Sequence, residues 1–132
     1  RMQWLMLQQK TPSDFVIATG KQNSIRDFIL WTTEELGIGL EFHGKGTEEI
    51  GVVSSIAGDL APALNIGDTI VRIDSRYYRP VEVHSLLGNP AKAERELGWT
   101  HTKSAREICA EMVAEDLINA INKATLSKNN SN

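Results

Sequence analysis

The sequence has little of what marks several large classes of protein. Its 132 residues include one cysteine, Cys109, which excludes an internal disulfide framework and agrees with a reducing compartment. No apolar run approaches the roughly 18 residues of a membrane span, and no basic and then apolar leader is present. We therefore expect a soluble, cytoplasmic protein that has no membrane partner.

Patterns typical of metal and phosphate sites are also missing. The three histidines lie far apart and accompany a single cysteine, so no zinc spacing exists and we expect no metal site. Residues 39–46 have the glycines and the lysine of a phosphate loop, but Gly46 stands where that loop needs a hydroxyl for magnesium. We interpret this segment as a hairpin bend.

What is present is the composition of an ordinary globular unit. The chain is 41% hydrophobic and 23% charged, and its formal net charge is -3. A chain of this size and composition is able to bury a core. We expect no nucleic-acid partner.

Apolar periodicity predicts mixed helices and short strands. Helices are predicted in the first ten residues and after Ser24, Asn89 and Ser104, with stops at Gly37 and Gly98. Strands are predicted at residues 15–18, 40–43, 51–55 and 68–73, the first being a continuous apolar run typical of a strand covered on both faces. This order indicates an α/β or α+β piece.

The two ends of the chain carry separate predictions. The first ten residues begin directly in a helical pattern, without a capping residue or an initiator methionine. We therefore expect the chain to be the carboxyl-terminal part of a longer polypeptide. The polar stretch 127–132 is expected to be a disordered tail, which leaves residues 1–126 as the folded portion.

The most informative segment is Arg-Tyr-Tyr-Arg-Pro-Val-Glu-Val at residues 76–83. Pro80 disfavours the helical conformation at Arg79 and suits the second position of a tight turn, which would bring Arg79 close to Glu82. A guanidinium suits phosphate oxygens, and a carboxylate suits a pair of ribose hydroxyls. The spacing predicts that one turn holds a diphosphate and its sugar.

The alternative is an ordinary surface ion pair between Arg79 and Glu82, since such pairs are common and weak. Two more arginines, Arg72 and Arg76, lie in the same short stretch of a mildly acidic chain. The local potential is therefore expected to be positive, which favours anion binding. Spacing alone leaves both interpretations open.

Several segments resemble the GDP-mannose 4,6-dehydratases, a branch of the extended short-chain dehydrogenase/reductases. Residues 76–80 with 82–83, and the Ala-Thr-Gly at 18–20, are similar to that branch, whereas Lys92-Ala93 and Leu97-Gly98-Trp99 occur broadly in extended members. Further matching segments lie at residues 2–4, 6–9, 14–17, 24–26, 28 and 87–88.

The resemblance implies a Rossmann-type α/β fold of which this chain is the carboxyl-terminal, substrate-binding part. It also implies an NADP-dependent removal of water from GDP-mannose, with NADP bound upstream, in a homodimer or homotetramer. By position, Arg79 is similar to the arginine that meets the diphosphate of GDP, and Glu82 to the acid that meets nucleoside hydroxyls. Arg76 and Tyr78 are further candidates.

The family's acid–base pair, a tyrosine with a lysine four residues later, has no counterpart here. Val81 and Glu82 stand four residues after the two tyrosines, so neither tyrosine has the lysine that this pair requires. We expect no catalytic or cofactor-binding residue in this chain and no activity from it alone. The alternatives are part of another nucleotide-sugar epimerase, reductase or dehydratase, or a non-catalytic packing fragment.

Overall fold

A computed structural model describes residues 1–79, 81 and 86–129 of the chain. It confirms the α/β prediction of mixed helices and short strands. Two compact units are present, one made of Arg1–Ser24 with Glu82–Ser104 and the other of Ile25–Val81 with Ala105–Asn132. The helices and strands are α1 (Met2–Leu7), α2 (Ile25–Glu35), β1 (Ile38–His43), β2 (Ile50–Ile56), β3 (Thr69–Arg72), α3 (Ala91–Leu97) and α4 (Ala105–Asn129).

The second unit contains a three-stranded antiparallel sheet in the order β1-β2-β3. Leu40 lies opposite Val53 in the first pair of strands, and Ile50 lies opposite Arg72 in the second. Branched apolar residues favour a pleated, half-buried surface, which accounts for the central position of β2. Val53 on that strand is almost fully buried and forms part of the core with Ile38.

A tight connection joins β1 to β2 and contains a 3-10 turn over Gly46–Glu48. Gly44 and Gly46 have φ values of 86° and 60°, a left-handed conformation that glycine adopts without steric cost. Because β1 runs through the middle of residues 39–46, the interpretation of that segment as a hairpin bend is confirmed.

Helices α2 and α4 pack on each other in the same unit. The buried Cys109 places its Sγ 3.3 Å from the Thr32 hydroxyl, and Arg106 pairs with Glu34 at 2.7 Å. Gly37 follows α2 and has a φ of 72°. A Cβ at this position would lie 2.1 Å from the Ala57 carbonyl oxygen, so only glycine fits at this helix end. The predicted helices after Ser24 and Ser104 are confirmed.

The helical backbone of α4 continues through Asn129, past the predicted start of the tail at residue 127. Residues 130–132 lie outside the described residues, and the division into 1–126 and 127–132 stays a prediction. None of the helices in the described part of the chain combines the length and apolar character that crossing a membrane requires.

The first unit is built around α1 and α3. The side-chain oxygen of Asn89 accepts a hydrogen bond from the Ala91 N–H at 3.0 Å, which satisfies one free donor at the start of α3. Gly98 ends this helix in a left-handed conformation with φ of 59°. Ala93 and Met2 are buried, so each helix contributes to the small core of this unit.

The predicted strand at residues 15–18 is wrong. The structure assigns no strand there, and the side chains of Val16 and Ile17 are 51% and 54% exposed. A strand exists only when its backbone pairs with a neighbour, and no strand among the described residues lies beside this segment. The apolar run instead approaches Gly88, where an added Cβ would lie 2.6 Å from the Ala18 Cβ.

Candidate functional site

The loop that follows β3 carries three of the four predicted site residues. It begins with a turn in which the Tyr77 N–H donates to the Asp74 carbonyl at 3.0 Å. The turn leaves Arg76, Tyr78 and Arg79 exposed at the surface of the sheet-containing unit. The side chains of these three residues are therefore accessible to solvent.

Arg76 is already engaged by a carboxylate. Its Nη2 lies 2.6 Å from the Asp74 Oδ2, its Nε donates to the same carboxylate, and its backbone N–H donates to Oδ1 at 2.9 Å. Hydrogen bonds from the Arg76 side chain and then from its backbone lower the pKa of Asp74, and the pair raises the pKa of Arg76. A phosphate bound at this position would either share the Arg76 guanidinium with Asp74 or displace Asp74 from it.

Sequence reasoning missed Asp74. Aspartate bonds readily to the backbone N–H two residues later, and the Asp-x-Arg spacing at 74–76 is the signal that predicts this turn. The turn orients the guanidinium, whose Cζ lies 5.6 Å from the centre of the Tyr77 ring. Arg76 therefore contacts the side chains of both Asp74 and Tyr77.

Arg79 differs from Arg76, because no described residue forms an ion pair or hydrogen bond with its guanidinium. Pro80 and Glu82 lie outside the described residues. The predicted tight turn, and the predicted approach of Glu82 to Arg79, therefore stay predictions. Residues 72–79 contain three arginines and one aspartate, so this stretch is positively charged in an acidic chain.

Tyr78 lies against the connection between β1 and β2. A Cβ added at Gly46 would lie 3.7 Å from the Tyr78 hydroxyl oxygen. The sequence pattern of residues 39–46 predicts a bend but gives no sign that this bend lies near the candidate site. The pair of glycines around Lys45 indicates a tight tip, but sequence alone does not show what lies beside it.

The described residues do not fit a dinucleotide cofactor. Gly37 lies in the connection from helix α2 to strand β1 and Gly39 lies within β1, whereas the dinucleotide fingerprint needs a turn from a strand to a helix. Within the described ranges, no cluster of three or more His, Cys, Asp or Glu side chains is placed to hold a metal ion.

The sequence profile of one family, described as GDP-mannose 4,6 dehydratase, matches residues 1–112. The chain belongs to the GDP-mannose 4,6-dehydratase family. The predicted resemblance is confirmed, and the mixed helices and small sheet are those of an α/β part of an extended short-chain dehydrogenase/reductase. All four predicted site residues lie within the matched stretch.

Several curated relatives share the family name. A GDP-mannose 4,6-dehydratase of Vibrio cholerae is 59% identical over 117 residues, which cover 89% of this chain and 32% of that protein. One from Yersinia enterocolitica is 52% identical over 129 residues, covering 98% of this chain and 35% of that protein. GDP-mannose 4,6 dehydratase 2 of Caenorhabditis elegans is 44% identical over 114 residues, which cover 86% of this chain and 27% of that protein. The chain spans about a third of the length of the curated relatives it matches.

Proposed function

We propose that the chain is the carboxyl-terminal, substrate-binding part of an NADP-dependent GDP-mannose 4,6-dehydratase, a lyase that converts GDP-mannose to GDP-4-keto-6-deoxymannose. The observation that carries this proposal is the 59% identity over 117 residues to the Vibrio cholerae enzyme of that name. In the proposal, the parent enzyme is a cytoplasmic homodimer or homotetramer. Its NADP site and catalytic residues belong to the rest of the polypeptide, and this chain alone is inactive.

Arg79 is the proposed diphosphate ligand. Its exposed guanidinium has no partner among the described residues and can offer paired N–H donors to phosphate oxygens. Glu82 is the proposed partner of the ribose hydroxyls, because an ionised carboxylate only accepts hydrogen bonds. The charge of residues 72–79 supports anion binding at this loop.

Arg76 and Tyr78 are proposed to have supporting roles. The Arg76 guanidinium is already paired with the Asp74 carboxylate. Its proposed contribution is therefore positive charge near the diphosphate, not a direct hydrogen bond to it. Tyr78 directly precedes Arg79 in the sequence, and both residues are exposed.

The proposed part of this chain in the reaction is binding and orientation. A diphosphate held by Arg79 fixes the link between the nucleoside and the hexose, which leaves the hexose to be presented to the rest of the enzyme. Holding a reactant in one geometry removes much of the entropic cost of the chemical step. We therefore expect substitutions in this loop to weaken substrate binding before they alter the chemistry.

The substitution Arg79→Ala tests the assignment. In the full-length enzyme we expect it to weaken GDP binding by about 1.5 to 3 kcal/mol, roughly 10- to 150-fold, because a charged hydrogen bond is lost. Isothermal titration calorimetry measures the dissociation constant. The control is Arg95→Ala, which removes the same charge from a surface pair with Glu96 on α3. Unchanged GDP affinity in Arg79→Ala would show that Arg79 forms only an ordinary surface ion pair.

Parallel titrations of the wild-type enzyme with GDP and UDP separate the remaining alternatives. The proposal requires GDP to bind more tightly than UDP. Preference for UDP would indicate another nucleotide-sugar epimerase, reductase or dehydratase. Absence of binding to either nucleotide would indicate a packing fragment whose arginines are structural.

A further inference from the structure

The sheet register brings two separate loops to the same end of the sheet-containing unit. Ile50, the first residue of β2, pairs with Arg72, the last residue of β3. The connection from β1 enters β2 at this end, and the chain leaves β3 at this end. The hairpin tip, residues 44–48, and the arginine loop, residues 73–79, are therefore neighbours because of strand pairing alone.

The two loops meet at Gly46 and Tyr78. The space that a Gly46 side chain would fill is bordered by the Tyr78 hydroxyl oxygen, 3.7 Å from the ideal Cβ position. Among the described residues, no other heavy atom lies within 4 Å of that position, apart from the adjoining backbone. A methyl group at residue 46 would make an ordinary van der Waals contact with this hydroxyl, so only a longer side chain would compete with the tyrosine for the space.

The hairpin tip is anchored to α2. Arg26, near the start of that helix, pairs with Glu49 at 2.6 Å and places its guanidinium carbon 4.4 Å from the centre of the Phe42 ring. One side chain thus contacts β1 at Phe42 and the residue that immediately precedes β2, next to the tip. The Glu49 side chain is only 18% exposed, so this pair is less screened by water than an ordinary surface pair.

We propose that the hairpin tip is a positioning element of the nucleotide-sugar site, in which Gly46 leaves room for Tyr78 and so sets the place of Arg79, the next residue. This inference rests on the function proposed above for Arg79. It adds Gly46 and Arg26 to the residues on which GDP affinity depends. Neither residue needs to touch the ligand, because Gly46 acts through Tyr78 and Arg26 acts by holding the hairpin in place.

The first test places asparagine at Gly46 and, as the matched control, at Gly58. Both glycines have left-handed φ values, 60° and 78°, which asparagine tolerates. At Gly58, however, no atom of the described residues lies within 4 Å of the ideal Cβ position, its chain neighbours apart. In the full-length enzyme we expect Gly46→Asn to raise the GDP dissociation constant and the KM for GDP-mannose about tenfold. We expect kcat to stay within about twofold. Gly58→Asn should leave all three unchanged.

A double-mutant cycle shows whether Gly46 acts through Tyr78. Tyr78→Ala removes the side chain that the new asparagine would displace. Gly46→Asn should then cause no further loss of GDP affinity in the Tyr78→Ala background. Additive losses, or equal losses from Gly46→Asn and Gly58→Asn, would overturn the inference.

A second pair of variants leaves the glycines intact and covers the case in which Gly46→Asn fails to fold. Arg26→Gln frees the hairpin from α2, and we expect the GDP dissociation constant to rise about fivefold. Arg106→Gln breaks a similar pair with Glu34, at 2.7 Å in the same unit, and should leave GDP affinity unchanged. Equal GDP affinity in both variants would overturn the inference.

The outcomes separate this inference from the proposed function. If wild-type enzyme binds GDP and Arg79→Ala weakens that binding, while Gly46→Asn and Arg26→Gln match their controls, only the role of the hairpin is wrong. If wild-type enzyme does not bind GDP, the proposed function is wrong and the inference falls with it.

Discussion

Val53 and Val16 are the same amino acid in two regions that are held in different ways. Val53 lies in the central strand β2, is 1% exposed, and its backbone N–H and carbonyl bond to Asp68 and Gly67 at 2.9 and 2.8 Å. Val16 is 51% exposed and lies in a segment with no strand pairing. The sheet is thus held by its backbone and core.

Residues 13–18 are held mainly by side chains. The Lys92 ammonium donates to the Ser13 hydroxyl and, at 2.9 Å, to the Asp14 carbonyl, and it lies 4.8 Å from the centre of the Phe15 ring. Regions with few backbone hydrogen bonds and few buried apolar contacts open at lower free energy than core strands. We therefore expect the segment to open locally while the sheet stays folded.

The largest difference in stability between the two regions is expected when each valine is replaced by a charged residue. Val53→Asp buries a carboxylate that has no partner, and we expect it to lower the free energy of unfolding by about 4 kcal/mol or more. Val16→Asp should change it by less than about 0.5 kcal/mol. Urea unfolding of both variants measures the difference. Similar losses would show that residues 15–18 are as buried as β2.

A smaller effect is expected at the close approach of Gly88 to the segment. In Gly88→Ala the new Cβ would lie 2.6 Å from the Ala18 Cβ and 3.3 Å from the Val16 Cγ1. We expect a loss of about 2 kcal/mol of stability from this overpacking. Adding Ala18→Gly should restore most of it, which thermal unfolding of the single and double variants checks. Absence of rescue would contradict the packing of the segment on residue 88.

The smallest of the three effects is expected at Lys92. Lys92→Met removes two hydrogen bonds and a cation–π contact at a partly exposed site, and we expect a loss of about 1 kcal/mol. Arg95→Met, on the same helix, breaks only a pair with the adjacent Glu96 and should cost less than about 0.5 kcal/mol. Equal melting temperatures for the two variants would show that Lys92 does not hold the segment.

Local patterns predict the fold where an element and its partner both lie in the described chain. The segment 51–55 pairs with 40–43 on one side and with 68–73 on the other, and Gly37 and Gly98 end their helices through left-handed backbone. The run at 15–18 has the apolar character of a buried strand. A strand also needs a partner segment to pair with, and the sequence of residues 15–18 does not show whether such a partner lies beside it.

The site is predictable to a lesser degree. The residue chemistry of Arg79 is readable from the sequence, and the family resemblance is confirmed. The engagement of Arg76 by Asp74 is a local effect that spacing indicates. The contact of Tyr78 with the hairpin tip joins residues 32 positions apart and depends on strand register, which local pattern does not contain.

The central claim is that the arginine loop binds the diphosphate of a GDP-sugar, and a crystal structure of the full-length enzyme with GDP tests it most directly. We predict diphosphate oxygens about 3 Å from the Arg79 guanidinium and ribose hydroxyls at the Glu82 carboxylate. GDP bound elsewhere, with both side chains free of the ligand, would contradict the account.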